Sequence, residues 1–184
     1  MLDLKIATPQ TVLNYTQFLQ KRTSPPQYEE SFRVYERALQ VFSEWPHAHE
    51  IWLCYLKSMI ERYADSKVER IRDLFQQVLN KVPPKFAKVF YYMFGDYEEN
   101  FGLLNHAMEI YDRGCKDLQD PKDRYEILNL QIAKAAEYFG VTRTRQLFER
   151  AFNLVESGDR VQMGLRFAKM ERKMGEVDRA RAIY

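Results

Sequence analysis

One phrase returns five times along this chain. It reads SFRVYERAL at Ser31–Leu39, IRDLFQQVL at Ile71–Leu79, AMEIYDRGC at Ala107–Cys115, TRQLFERAF at Thr144–Phe152 and ARAIY at Ala180–Tyr184. The aromatic residues Tyr35, Phe75, Tyr111, Phe148 and Tyr184 follow one another at 40, 36, 37 and 36 residues. Self-similarity at such a period marks a repeat architecture, in which each unit buries its apolar face only by stacking on its neighbours. A second series, Tyr15, Tyr55, Phe94, Ile132 and Phe167, runs in step at 40, 39, 38 and 35 residues. It precedes the first by 16 to 20 residues, room for one helix and a turn. Each unit therefore reads as a hairpin of an A helix and a B helix, and the chain as an all-α solenoid of stacked antiparallel helix pairs.

Punctuation follows the same period. Gly102, Gly140 and Gly175 end A helices, and Pro46, Pro84 and Pro121 interrupt the chain after B helices. Thr8-Pro9 and Asp120-Pro121 are helix starts, with a capping side chain followed by a proline whose missing N–H costs nothing there. The expected A helices are Pro9–Arg22, Ala48–Tyr63, Lys85–Phe101, one capped by Asp120-Pro121 that ends at Gly140, and Asp159–Met174. The expected B helices are Tyr28–Phe42, Lys67–Lys81, Leu103–Leu118, Thr142–Val155 and one from Glu176. Met1–Ala7 reads as the end of a preceding B helix. Repeats of about 9–46, 47–84, 85–121, 122–158 and 159–184 form a single domain, expected to be a piece of a longer array.

In each B helix an aliphatic precedes the aromatic (Val34, Leu74, Ile110, Leu147, Ile183), and a small or branched residue follows three positions later (Ala38, Val78, Gly114, Ala151). Neighbouring positions point about 100° apart, so one can face its own A helix and the other the next repeat. The charged pairs between them, such as Glu36-Arg37 and Glu149-Arg150, are candidates for ion pairs along the hairpin.

Little in the chain suggests chemistry. His47-x-His49 would diverge by about 200° on a helix, and no further ligand stands at zinc-like spacing. Glycine-rich phosphate loops and nucleophilic triads are absent, so neither enzyme activity nor a cofactor or small-molecule substrate is expected. Cys54 and Cys115, without a CxxC, read as small buried hydrophobes of a reducing compartment. No apolar run approaches a membrane span. Lys plus Arg is 28 against 26 for Asp plus Glu, a balance unlike the basic footprint of most nucleic-acid binders. The last stretch is more basic: Arg160, Arg166, Lys169, Arg172, Lys173, Arg179 and Arg181 face four acids between Asp159 and Tyr184. Together with Arg143 and Arg145 these cations read either as a solvated face or as contacts to RNA or an acidic partner. The ring cluster Tyr91, Tyr92, Phe94 and Tyr97 has two readings as well, core or a platform for stacked bases.

The pattern Trp52-x-x-Tyr55, the pairs Phe94…Glu98 and Phe167…Glu171, and Ala180-Arg-x-Ile-Tyr184 resemble the HAT repeat, the "half a TPR" unit of RNA-processing proteins. The Trp position holds Val12, Tyr91, Asn129 and Gly164 in the other repeats. A narrower resemblance spans nearly the whole chain. LDLKIATPQTVLNY, RDLFQQVLNKVPPKFAK, AAEYFGVTRTRQLFERA and LRFAKMERKMGEVDRARAIY are similar to the Syf-one family of HAT-repeat splicing scaffolds. That resemblance implies a right-handed superhelix and a nuclear, non-catalytic scaffold of the Prp19-associated (NineTeen) complex, linked in animals to transcription-coupled repair. It also implies partners of the Crooked neck-type HAT protein and Aquarius-type helicase classes, and homodimerisation as HAT arrays often show. An RNA-binding HAT module, and a HAT scaffold in mRNA 3′-end or ribosomal RNA processing, remain the alternatives.

Overall fold

The protein is described by a computed structural model covering residues 8–42, 45, 47–154 and 157–184. The expectations for 1–7, for Pro46 and for the last residue of the helix reaching 155 lie outside these residues. Ten helices span the described residues. They group into two compact units, Met1–Phe86 and Ala87–Tyr184.

The first unit holds α1 (Pro9–Lys21), α2 (Tyr28–Val41), α3 (Ala48–Tyr63) and α4 (Val68–Lys81), with α5 (Pro84–Asn100) beginning at its end. The second holds the rest of α5, then α6 (Leu104–Asp117), α7 (Pro121–Phe139), α8 (Val141–Leu154), α9 (Ser157–Lys173) and α10 (Val177–Ile183). The architecture is an all-α repeat of stacked antiparallel helix pairs. No described helix is long and apolar enough to cross a membrane.

The helix ends follow local chemistry. Thr8 caps α1 in a reciprocal pair with Thr11, and Pro9 opens the helix. The Asp120 carboxylate accepts the Lys122 N–H at 2.8 Å ahead of Pro121. At the end of α5, Gly102 takes φ +72°, and the Leu103 N–H reaches back to the Glu98 carbonyl at 3.0 Å. Gly175 does the same after α9, where the Glu176 N–H bonds the Glu171 carbonyl at 3.0 Å. Both closures need a left-handed residue that only glycine adopts without strain.

Two boundaries differ from expectation. Pro84 opens α5, and the break after α4 belongs to Pro83, which holds Val82 extended at ψ 135°. The helix expected from Asp159 begins two residues earlier, as α9 opens at Ser157.

The recurring aromatics meet across repeats. Tyr35 on α2 stacks on Tyr55 of α3 at 5.4 Å between centroids, and Phe148 on α8 stacks on Phe167 of α9 at 5.2 Å. The rings of Tyr35 and Phe148 thus face the next A helix, whereas Tyr111 lies against Gly95 of its own A helix, α5. Ala38, Val78, Gly114 and Ala151 are all buried. A methyl group on Gly114 would sit 3.0 Å from the Tyr91 ring and 3.1 Å from Ile127, so this spot is small because a ring from α5 and a side chain from α7 close over it.

Charged side chains add a second stitch at the same period. Glu29–Lys67 (3.2 Å) and Glu36–Arg70 (2.7 Å) join neighbouring repeats in the first unit. Lys88–Asp123 (2.8 Å), Glu99–Lys134 (2.6 Å) and Asp112–Arg150 (2.7 Å) do so in the second. Glu36 therefore ties α2 to the following repeat, accepting also from the Tyr55 hydroxyl at 2.8 Å, instead of running along its own hairpin.

Candidate functional site

In the second unit α6 and α8 flank α7 and leave a groove of about 580 Å³ above it. Its floor is the α7 face carrying Gln131, Ala135 and Phe139. Met108 and Leu147 stand on the apolar walls, and Arg113, Lys116, Arg143 and Arg150 supply cations, against Glu109 and Asp112. The groove continues past Cys115, Leu128 and Leu154 in a second space of about 300 Å³.

Ala135 stands 38 residues after Tyr97, the interval that separates Phe94 from Ile132, so the two occupy the same repeat position. Tyr97 is buried and packs on Phe101 at 4.8 Å, whereas the groove floor carries the smaller Ala135. Gln131 is held flat beneath it, its amide donating to the Met108 carbonyl at 3.2 Å.

One carboxylate crosses the groove. Asp112 on α6 accepts from Arg150 of α8 at 2.7 Å and from Lys116 at 2.8 Å. Burial pushes its pKa up, but Lys116 and Arg150 outweigh that and hold it below the ordinary value. Arg143 has no carboxylate partner among the described residues, and its guanidinium lies 5.9 Å from the centroid of Phe139. The thiol at the groove's far end, Cys115, is free, and burial pushes its pKa up to about 12, so it is an inert apolar contact at neutral pH.

The same unit holds a half-buried polar cluster. Glu99 accepts from the Tyr111 hydroxyl (2.8 Å), Lys134 Nζ (2.6 Å) and the Tyr138 hydroxyl (2.9 Å), joining α5, α6 and α7. Burial alone would raise its pKa; the hydrogen bonds from Lys134, Tyr111 and Tyr138 together bring it below the usual 4.5. Tyr111 is shifted upward, first by burial and then by Glu99. Glu98 and Glu171, the acidic positions of the resemblance, are both fully buried. Glu98 meets His106 at 3.2 Å, and Glu171 takes a two-pronged grip from Arg145 at 2.7 and 2.9 Å.

Most of the expected repeat signature lies in the core. Tyr35, Trp52, Tyr55, Phe75, Phe94, Tyr111, Ile132, Phe148 and Phe167 are all buried. Tyr15 is 50% exposed and Tyr184 65% exposed. On α1 the inward face is Val12, Leu13, Thr16 and Leu19. Thr16, wholly buried and hydrogen-bonded to Tyr35 at 2.9 Å, fills the place that Tyr55 fills one repeat later. The interval there is 39 residues, and matching ring to ring slipped the register by one. Of the aromatic cluster on α5, Tyr91, Phe94 and Tyr97 are buried.

The basic residues do not converge. Arg143 faces the groove, whereas Arg145 is committed to Glu171. Arg160 lies over Phe152 at 5.5 Å, and Arg166 is hydrogen-bonded to Asn129. Lys169, Arg172 and Lys173 are exposed on α9. No ion pair holds them among the described residues. Met108, Gln131, Ala135, Phe139 and Arg150 were not expected as groove residues; Arg150, expected to pair along its hairpin, instead reaches Asp112 of α6. The one available signal was the fall from Tyr97 to Ala135 at a fixed repeat position.

The family model described as "Pre-mRNA-splicing factor Syf1/CRNKL1 C-terminal HAT repeat" matches residues 1–184. Over all 184 residues the chain is 46% identical to pre-mRNA-splicing factor SYF1 of Rattus norvegicus, covering 21% of that protein. Over the same length it is 45% identical to SYF1 of Dictyostelium discoideum and 47% identical to syf1 of Aspergillus fumigatus, covering 21% of each. The chain spans about a fifth of the length of the curated relatives it matches. It belongs to the Syf1/CRNKL1 C-terminal HAT-repeat family of pre-mRNA-splicing factors.

Proposed function

We propose that this chain is a non-catalytic protein-interaction segment of a nuclear splicing scaffold, acting within the Prp19-associated complex. The family match over residues 1–184 carries this reading. The repeat fold supports it, because stacked helix pairs offer extended surfaces for partners and little enclosed space for catalysis. Proteins of the Crooked neck and Aquarius classes are the proposed neighbours, self-association is a further possibility for the same surfaces, and transcription-coupled repair is the proposed second setting in animals.

Affinity capture from nuclear extract, with and without RNase and read by mass spectrometry, tests the proposal. RNase-resistant recovery of Prp19-associated proteins is the expected result. A folded chain that recovers none of them would move the scaffold role elsewhere in the longer relatives.

A second reading, direct RNA contact, draws on the unpaired cations Lys169, Arg172 and Lys173 of α9. It requires binding to single-stranded RNA that weakens steeply with salt. No binding at low salt removes it.

A further inference from the structure

The geometry points to an acidic segment of a partner protein as the occupant of the α6–α8 groove, with a carboxylate seated at Arg143 and apolar side chains over Met108, Phe139 and Leu147. The inference deepens the scaffold reading and rests on it.

Charge complementarity selects the occupant. Asp112 is a single carboxylate serving two cations, Lys116 and Arg150. Arg113 is engaged by Asp117 at 3.2 Å, outside the groove lining. Arg143, at the groove's other end, has no carboxylate partner among the described residues and lies near the Phe139 ring. The lining thus carries four cations against Glu109 and Asp112. Each Asp112 oxygen has its own cation, so an incoming carboxylate would pair with Arg143 through charge-assisted hydrogen bonds. The apolar walls then call for aliphatic or aromatic side chains in the same segment.

Length agrees with a short motif. Arg143 to Leu154 spans about 17 Å along α8 at about 1.5 Å per residue, the reach of about five extended residues. Nucleic acid fits this surface less well. Its one ring, Phe139, is already beside Arg143, and stacking of successive bases needs more than one ring.

The test uses fluorescence anisotropy on the 184-residue chain with three labelled probes: a decapeptide of alternating glutamate and leucine, its lysine–leucine counterpart, and oligouridine. The glutamate–leucine peptide is expected to bind, and the other two at least about tenfold more weakly, as like charge opposes them. Arg143→Glu and Lys116→Ala should each weaken the glutamate–leucine peptide by about three- to tenfold, with unchanged melting curves. Arg143→Gln, a milder change, should give a smaller loss. Lys173→Glu, on α9, should change nothing. The Gln131 side-chain amide signals should shift on titration. Equal binding of the lysine–leucine peptide, tighter binding of oligouridine, or variants that bind as the parent does would overturn the groove assignment.

Failure of this inference is separable from failure of the scaffold reading. Capture of splicing proteins that survives Arg143→Glu combined with Lys116→Ala would remove the groove and leave the scaffold. Peptide binding with no capture would keep the groove and remove the scaffold.

Discussion

Tyr111 is held at both ends. Its ring is buried and its hydroxyl donates to Glu99 at 2.8 Å. Gly95 lies against that ring: a Cβ there would fall 2.3 Å from Tyr111 Cε1. Glycine in mid-helix costs backbone entropy, and the close approach of the ring is what requires it here. Tyr111→Ala is expected to cost about 3–5 kcal/mol, as for other buried aromatics, measured by denaturant unfolding. An unchanged unfolding midpoint would mean that this ring contributes no core packing. Gly95→Ala should destabilise by about 1–3 kcal/mol because the ring has little room to retreat. The combination Gly95→Ala with Tyr111→Phe should recover little, since the clash is with ring carbons as well as the hydroxyl.

Tyr111 was readable from sequence as the ring of its repeat, and Gly95 was not. Nothing in the period marks a glycine inside a helix as the seat of a neighbour's ring. Tyr15 shows the opposite difficulty. A ring at nearly the right interval drew the register toward itself, while the buried place on α1 went to Thr16, a residue outside the aromatic code.

At the scale of elements, helices and turns were legible because capping groups, prolines and glycines act within a few residues. Asp120→Ala should remove the cap of α7 and cost about 1 kcal/mol, seen as a lower melting temperature. How helices grip one another was less legible, since the partner of a charge lies 26 to 38 residues away. Arg145 illustrates this: it belongs to a basic run in sequence, yet its guanidinium closes on the buried Glu171 of α9. Arg145→Ala would leave that carboxylate buried without its cation, so amide exchange should quicken in α8 and α9 before α6. Uniform exchange across the second unit after this change would deny the pair a local role.

For the whole chain, the lowered pKa of Glu99 sets a direction for acid stability. A carboxyl whose folded pKa lies below its unfolded value contributes stability that is fully present above the unfolded pKa. That stability is lost as pH falls through the folded value. Melting temperature should therefore vary little from pH 7 to pH 5 on account of this group, and decline below its ordinary pKa of 4.5. Asp112, lowered from 3.8, adds to the decline at still lower pH. Glu99→Gln should melt lower at pH 7 and show a shallower acid slope; an unaltered slope would exclude Glu99 as a source.

Ala135 carries a consequence for how such a chain could change over time. A low floor in a repeat array is an unfilled place, and the array already contains its own filler in Tyr97. Selection for robustness alone would be expected to plug that place, because added packing is among the easiest gains open to a marginally stable protein. A laboratory search for heat-resistant variants should accordingly return larger side chains at position 135. Those winners would be sturdier proteins with a poorer grip on whatever the hollow is kept open to receive.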